Sequence, residues 1–180
     1  HSRSEVLELA RERGLVTLEG RAHPLHAGLA YAPIVQALRP RLAALTEYEG
    51  LAGLGHVPGR LFDDPRLPAA EPIDDPELER TLMFEAVARL TGPAVLFVDD
   101  VHWADHGTVE LLHYIGQQTT VLVTYRPSEV DESLGFLLNT VRRDGIEVTL
   151  GPLPDASVGE LAHEILGHEP ATDLLDSVTA

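Results

Sequence analysis

The chain contains no cysteine, which excludes a disulfide framework and a thiolate metal site. It contains no lysine either, since its thirteen Lys-plus-Arg residues are all arginine. That excludes a phosphate loop closed by lysine, whose ammonium would reach the β- and γ-phosphates of a nucleotide. Runs of about eighteen apolar residues, the length needed to span a bilayer, are missing. So is a charged, apolar, small-residue leader, and the expectation is a soluble, cytoplasmic protein without membrane contact. Positive charge is scarce throughout: the formal net charge is −16, which would repel a phosphate backbone, so this segment is not expected to grip nucleic acid. No serine stands in a Gly-x-Ser-x-Gly elbow, and neither an internal repeat nor a low-complexity tract is present.

What is there suffices for one core: 180 residues, 44% of them hydrophobic, fall within the usual size of a domain. Val6, Leu9 and Ala10 share a face at i, i+3 and i+4, so Glu5 to Arg13 reads as a helix that Gly14 stops. A β-branched run, Leu15 to Glu19, follows, and Gly20 is read as its end. Ile34 to Leu45 resumes helical spacing despite Pro40. The glycine- and proline-rich stretch from Gly50 to Pro76 is expected to be a surface excursion. Asp75 and Pro76 then form a helix start, with Leu78, Leu82, Ala86 and Leu90 on one stripe and Thr91-Gly92-Pro93 as its break.

Ala94 to Val98 is apolar on both faces, as an interior parallel strand covered by helices would be. Asp105 is placed to cap a helix from His106 to about Gln117. A second apolar strand, Thr120 to Tyr125, ends at Arg126-Pro127. Helices over 129–143 and 156–166, with a third β-rich run at 146–150 between them, complete the pattern. Strand and helix alternating at crossover spacing predict an α/β fold with a parallel sheet.

In open α/β sheets, ligands bind beyond the carboxyl ends of the strands. Two such ends carry chemistry here: Asp99-Asp100 after the first interior strand and Arg126 after the next. In a nucleotide site the first carboxylate would hold magnesium through its water shell, and the second would orient or deprotonate the attacking water. The alternative is that Asp-Asp ends a strand in solvent, as residues that favour turns often do, and that Arg126 is an ordinary surface arginine. Two further groupings have less support. His102 with His106, and His23 with His26, offer at most two ligands each for a metal. The acidic residues Asp63, Asp64, Glu71, Asp74 and Asp75 lack the glycine and alternation of a calcium loop.

Val95-Leu96-Phe97-Val98-Asp99-Asp100-Val101-His102-Trp103-Ala104-Asp105, followed by Leu111-Leu112 and by Val121-Leu122-Val123-Thr124-Tyr125-Arg126-Pro127, resembles the AAA-related ATPase module of large LuxR-type bacterial transcriptional regulators, members of the STAND class. Gly20-Arg21-Ala22, Tyr31-Ala32-Pro33-Ile34 and Leu150-Gly151-Pro152-Leu153 are similar to further segments of that module. The resemblance implies a P-loop NTPase-like three-layer sandwich with ATP or ADP and Mg2+ as cofactors. By the same resemblance Asp99 and Asp100 are the Walker B carboxylates, with Asp99 the magnesium-side residue and Asp100 the catalytic one. Arg126 falls where a sensor residue monitors the γ-phosphate, and Trp103 is expected to pack the loop after Asp100 against neighbouring helices.

The family carries a first strand and a Gly-rich loop ending in Gly-Lys-Ser/Thr before the helix at Glu5, where this chain reads His1-Ser2-Arg3-Ser4. The expectation is therefore a fragment, with residues 1–150 an incomplete ATPase core and 151–180 the beginning of a helical lid. In the family's strand order 5-1-4-3-2 the first strand is interior, so its absence would leave two strands without partners or force them together. The parent function implied is nucleotide-dependent regulation of transcription. Partners would be other domains of the same regulator or further copies, with DNA bound by a separate helix-turn-helix domain. The alternative is a degenerate, non-catalytic interaction or autoinhibitory module that no longer binds ATP, which the missing lysine favours.

Overall fold

The computed structural model describes residues 3–26, 29–44, 58–62, 73–151 and 157. Its elements in chain order are α1 (Arg3–Glu12), β1 (Val16–Arg21), α2 (Ala32–Ala44), α3 (Pro58–Leu61), α4 (Pro76–Thr91), β2 (Ala94–Asp99), α5 (His106–Ile115), β3 (Thr120–Val123) and α6 (Glu132–Asp144). The chain divides into two compact units, His1–Asp144 and Gly145–Ala180. No helix among the described residues is long and apolar enough to cross a membrane.

The first unit is built on a three-stranded parallel sheet of order β1-β2-β3. This is the expected α/β architecture with a P-loop NTPase-like sheet. Alternation along β1 divides the helices between its faces. Leu18 is buried in a continuous cluster with Ile34, Leu38 and Leu42 of α2. Thr17 and Glu19 point the other way and accept hydrogen bonds from Arg11 of α1. β2 is buried on both faces from Ala94 to Val98, which explains why its sequence is apolar without alternation. Fully burying each of its larger side chains contributes about 1.5–3 kcal/mol, so the strand that ends in the carboxylates is among the most firmly held parts of the unit.

Local chemistry sets the helix starts. Asp75 caps α4, its carboxylate accepting from the amides of Glu77 (2.9 Å) and Leu78 (3.3 Å), with Pro76 in the first turn where no amide is needed. Gly92, at φ 53°, closes the other end. Asp105 caps α5 by accepting from the Thr108 amide at 3.1 Å, and it also receives the Tyr31 amide at 3.0 Å, so one carboxylate ties α5 to the start of α2.

Several expectations need correction. Gly20 does not end β1, which runs on to Arg21. A Cβ at Gly20 would lie 2.0 Å from the Pro33 carbonyl oxygen, so glycine stands there because α2 passes directly over the strand. β3 stops at Val123, and α6 begins at Glu132 after a 3-10 turn at Pro127–Glu129. Residues 146–150 form no strand: Ile146, Val148 and Leu150 are exposed and unpaired in any sheet. Their β-branched composition suits a pleated surface, but propensity alone does not repay the ordering of a strand without ladder partners. Among the described residues nothing pairs with the outer edge of β3. Of the expected surface excursion at 50–76, the described residues 58–62 and 73–76 include α3, and Phe62 after it is buried in the core, while the helix at 156–166 lies outside the described residues except for residue 157.

Candidate functional site

All three strands run parallel, so their carboxyl ends meet at one edge of the sheet. Register sets Arg21 directly beside Asp99, and Val98 beside Val123, which brings Thr124 to the same edge. The two carboxylates, a guanidinium and a hydroxyl therefore converge from three strands.

Thr124 organises this edge. Its hydroxyl donates to Asp99 Oδ1 at 2.6 Å and accepts from the Asp100 amide at 2.9 Å. Its carbonyl accepts from the Val101 amide at 2.8 Å, and its own amide donates to the Val98 carbonyl at 3.1 Å. Asp100 adopts the left-handed conformation, φ 54° and ψ 42°. A residue with a Cβ is held there at a cost of order ~1 kcal/mol, tolerated best by aspartate and asparagine. The kink turns the chain from β2 into the 3-10 turn Val101–Trp103.

Arg21 faces both carboxylates. Its Nη2 and Nε donate to Asp100 Oδ2 at 2.8 and 3.2 Å, and Nε lies 3.8 Å from Asp99 Oδ2. The hydrogen bond to Asp100, then the charges of Asp100 and Asp99, hold the Arg21 pKa above the ordinary guanidinium value. The Arg21 amide is satisfied separately by Gln36 Oε1 of α2 at 2.9 Å. Neither Arg21 nor Thr124 stood out in the sequence as a site residue. The signal that could have found them is the parallel sheet itself, which puts the residues just after each strand at one edge.

Arg126 lies after β3 but turns elsewhere: its Nη1 is 3.3 Å from Glu129 Oε1, and its side chain is well exposed. Its amide donates to His102 Nδ1 at 3.3 Å. The structure thus brings Asp99 and Asp100 together and leaves the Arg126 guanidinium engaged outside the pair. His102 has a fully buried ring whose Nε2 has no hydrogen-bond partner and lies 3.6 Å from Glu129 Oε2. Trp103 is 40% exposed, its ring 5.1 Å from that of His102. The anchoring of this loop falls to Val101, which is buried.

Oxygen donors on adjacent carboxylates suit a hard divalent ion such as Mg2+. The donor set at Asp99 and Asp100 fits such an ion in type, with Arg21 as the competing cation. Among the described residues no group of three or more His, Asp or Glu able to hold a metal occurs, this edge included, where the pair supplies two carboxylates. His106 pairs its Nδ1 with Ser133 Oγ at 2.9 Å, and His23 Nδ1 accepts from the Leu25 amide at 3.2 Å, while the side chain of His26 lies outside the described set.

Comparison with known proteins gives one match. A family model described as "AAA ATPase domain" covers residues 4–125, from α1 through β3 to the residue after Thr124. No curated protein and no solved structure matches the chain.

Proposed function

The chain belongs to the AAA ATPase domain family, and from that premise we propose that it is the nucleotide-binding regulatory module of a LuxR-type transcriptional regulator of the STAND class. The observation that carries the reading is the Asp99-Asp100 pair at the carboxyl end of β2, oriented by Thr124 and lying on the edge where α/β sheets bind ligands. Asp99 would hold Mg2+ through its water shell, and the metal would supply neutralisation of phosphate charge. Asp100 would orient or deprotonate water once released from Arg21. Arg126 would reach a γ-phosphate by leaving Glu129, to which its exposed side chain is held only weakly.

In this reading ATP and ADP exchange alters how the module meets other domains of the same regulator or further copies of itself in the cytoplasm. DNA contact belongs to a separate helix-turn-helix domain, in keeping with the net charge of −16. A second reading, a non-catalytic interaction module, draws support from the absence of lysine and from the guanidinium already seated on Asp100.

Calorimetric titration with Mg-ATP tests the choice, using the chain and its Asp99→Asn, Asp100→Asn double variant. Saturable binding that the double variant loses supports nucleotide recognition. A folded chain that takes up no Mg-ATP leaves the interaction module as the reading that stands.

A further inference from the structure

A cleft of about 780 Å³ runs along the outer face of α5 between α4 and α6. That volume lies within the roughly 300–1,000 Å³ typical of small-molecule sites. Its walls are aromatic: Phe84 from α4, Tyr114 from α5 and Phe136 from α6. Phe84 and Tyr114 pack with ring centroids 5.6 Å apart. Phe136 stands 67% exposed at the mouth, held edge-on to His113 at 5.8 Å.

The charge along the cleft is one-sided. Glu110, Asp131 and Glu132 line it against a single guanidinium, Arg80. Arg80 is already committed, donating to both oxygens of Glu110 at 2.8 and 3.1 Å and lying 5.7 Å from the Phe84 centroid. Asp131 accepts the Leu134 amide at 2.8 Å and so spends part of its capacity on the start of α6. Glu132, exposed at the rim, is the carboxylate best placed to meet an incoming charge. Aromatic faces attract cations through their quadrupole, and the carboxylates add to this. The net charge of −16 over the chain extends the same preference to longer range.

We propose that this cleft is a second ligand site, separate from the carboxylate pair, and that it takes a planar aromatic cation such as an arylamidinium or arylammonium. The flat apolar body stacks against Phe136, the exposed ring at the mouth, and the charged end lies toward Glu132. The site stands independently of the nucleotide reading, since no residue is shared between them.

The probe is 4-aminobenzamidine, with 4-aminobenzoate as the anion on the same ring, titrated into the full chain and followed by calorimetry and histidine NMR resonances. The expected result is saturable 1:1 uptake of the amidine that moves the His113 signals, with the benzoate at least about ten-fold weaker. Phe136→Ala and Glu132→Gln, both exposed positions whose replacement leaves the core intact, should each weaken the amidine about three-fold or more. The Asp99→Asn, Asp100→Asn variant should bind it unchanged. Equal binding of both probes, indifference to Phe136 and Glu132, absence of uptake, or loss in the Asp99/Asp100 variant would each overturn the proposal. The last result would place the amidine on the strand-end carboxylates instead.

Discussion

Arg21 donates to Asp100 Oδ2 at 2.8 Å across the parallel pairing of β1 with β2, joining residues seventy-nine positions apart in sequence. The arginine is 57% exposed, so solvent screens the pair and it adds little to stability. Its larger effect is on what else the carboxylates can hold. Arg21→Gln should leave the thermal midpoint nearly unchanged and raise the affinity for Mn2+, measured by electron paramagnetic resonance. Unchanged or reduced Mn2+ affinity would show that the guanidinium does not compete for the pair.

Thr124→Val keeps shape and removes the hydroxyl that bridges Asp99 Oδ1 and the Asp100 amide. Both groups are half-buried, and losing the hydroxyl that serves them costs about 1–3 kcal/mol in all. Urea denaturation should show a loss in that range for the valine variant and a much smaller one for Thr124→Ser. A valine variant as stable as the parent would mean that solvent substitutes fully for the hydroxyl.

Gly20→Ala would push a methyl carbon to 2.0 Å from the Pro33 carbonyl oxygen, backbone against backbone, where no rotamer change relieves the clash. The cost should reach about 3 kcal/mol or more, the upper range for overpacking. Differential scanning calorimetry checks it, with Gly14→Ala as contrast. No atom lies within 4 Å of a Cβ at Gly14, so that variant bears only the strain of its φ of 75°.

Glu85 accepts from Arg89 at 2.9 Å and from the Tyr114 hydroxyl at 3.0 Å, and these bonds hold its carboxyl below the ordinary value of 4.5. A group depressed in the folded state contributes stability above its unfolded value and loses it as pH falls through the folded one. Stability should therefore decline in the parent as pH drops from about 4.5, and decline less steeply in Glu85→Gln, because Arg89 and Tyr114 then lose no charged partner. Circular dichroism across that acid limb is the measurement. Parallel curves for the two proteins would remove Glu85 from the account.

What could be read from the sequence depended on how far apart the cooperating residues lie. The start of α4 was legible because Asp75, Pro76 and the amides they serve are neighbours. The strand ending in Asp99 was legible because burial on both faces leaves a continuous apolar run. Gly20 was misread as a terminator because its reason lies in α2, thirteen residues on, and no local rule carries it. The run at 146–150 was misread for the opposite reason: its composition favours a strand, but a strand also needs a neighbour to bond with. At the site, Asp99 and Asp100 announced themselves as adjacent letters. Arg21 and Thr124 reach them only through the register of the sheet.

The bonding of Thr124 gives this edge a mechanical character. One residue after β3 is fastened to the end of β2 at four points: a backbone carbonyl, an amide, a carboxylate and the kinked Asp100 amide. The end of the third strand and the acidic pair are therefore held in one hydrogen-bonded unit. Thr124 is thus the pin that joins the far strand to the carboxylate pair.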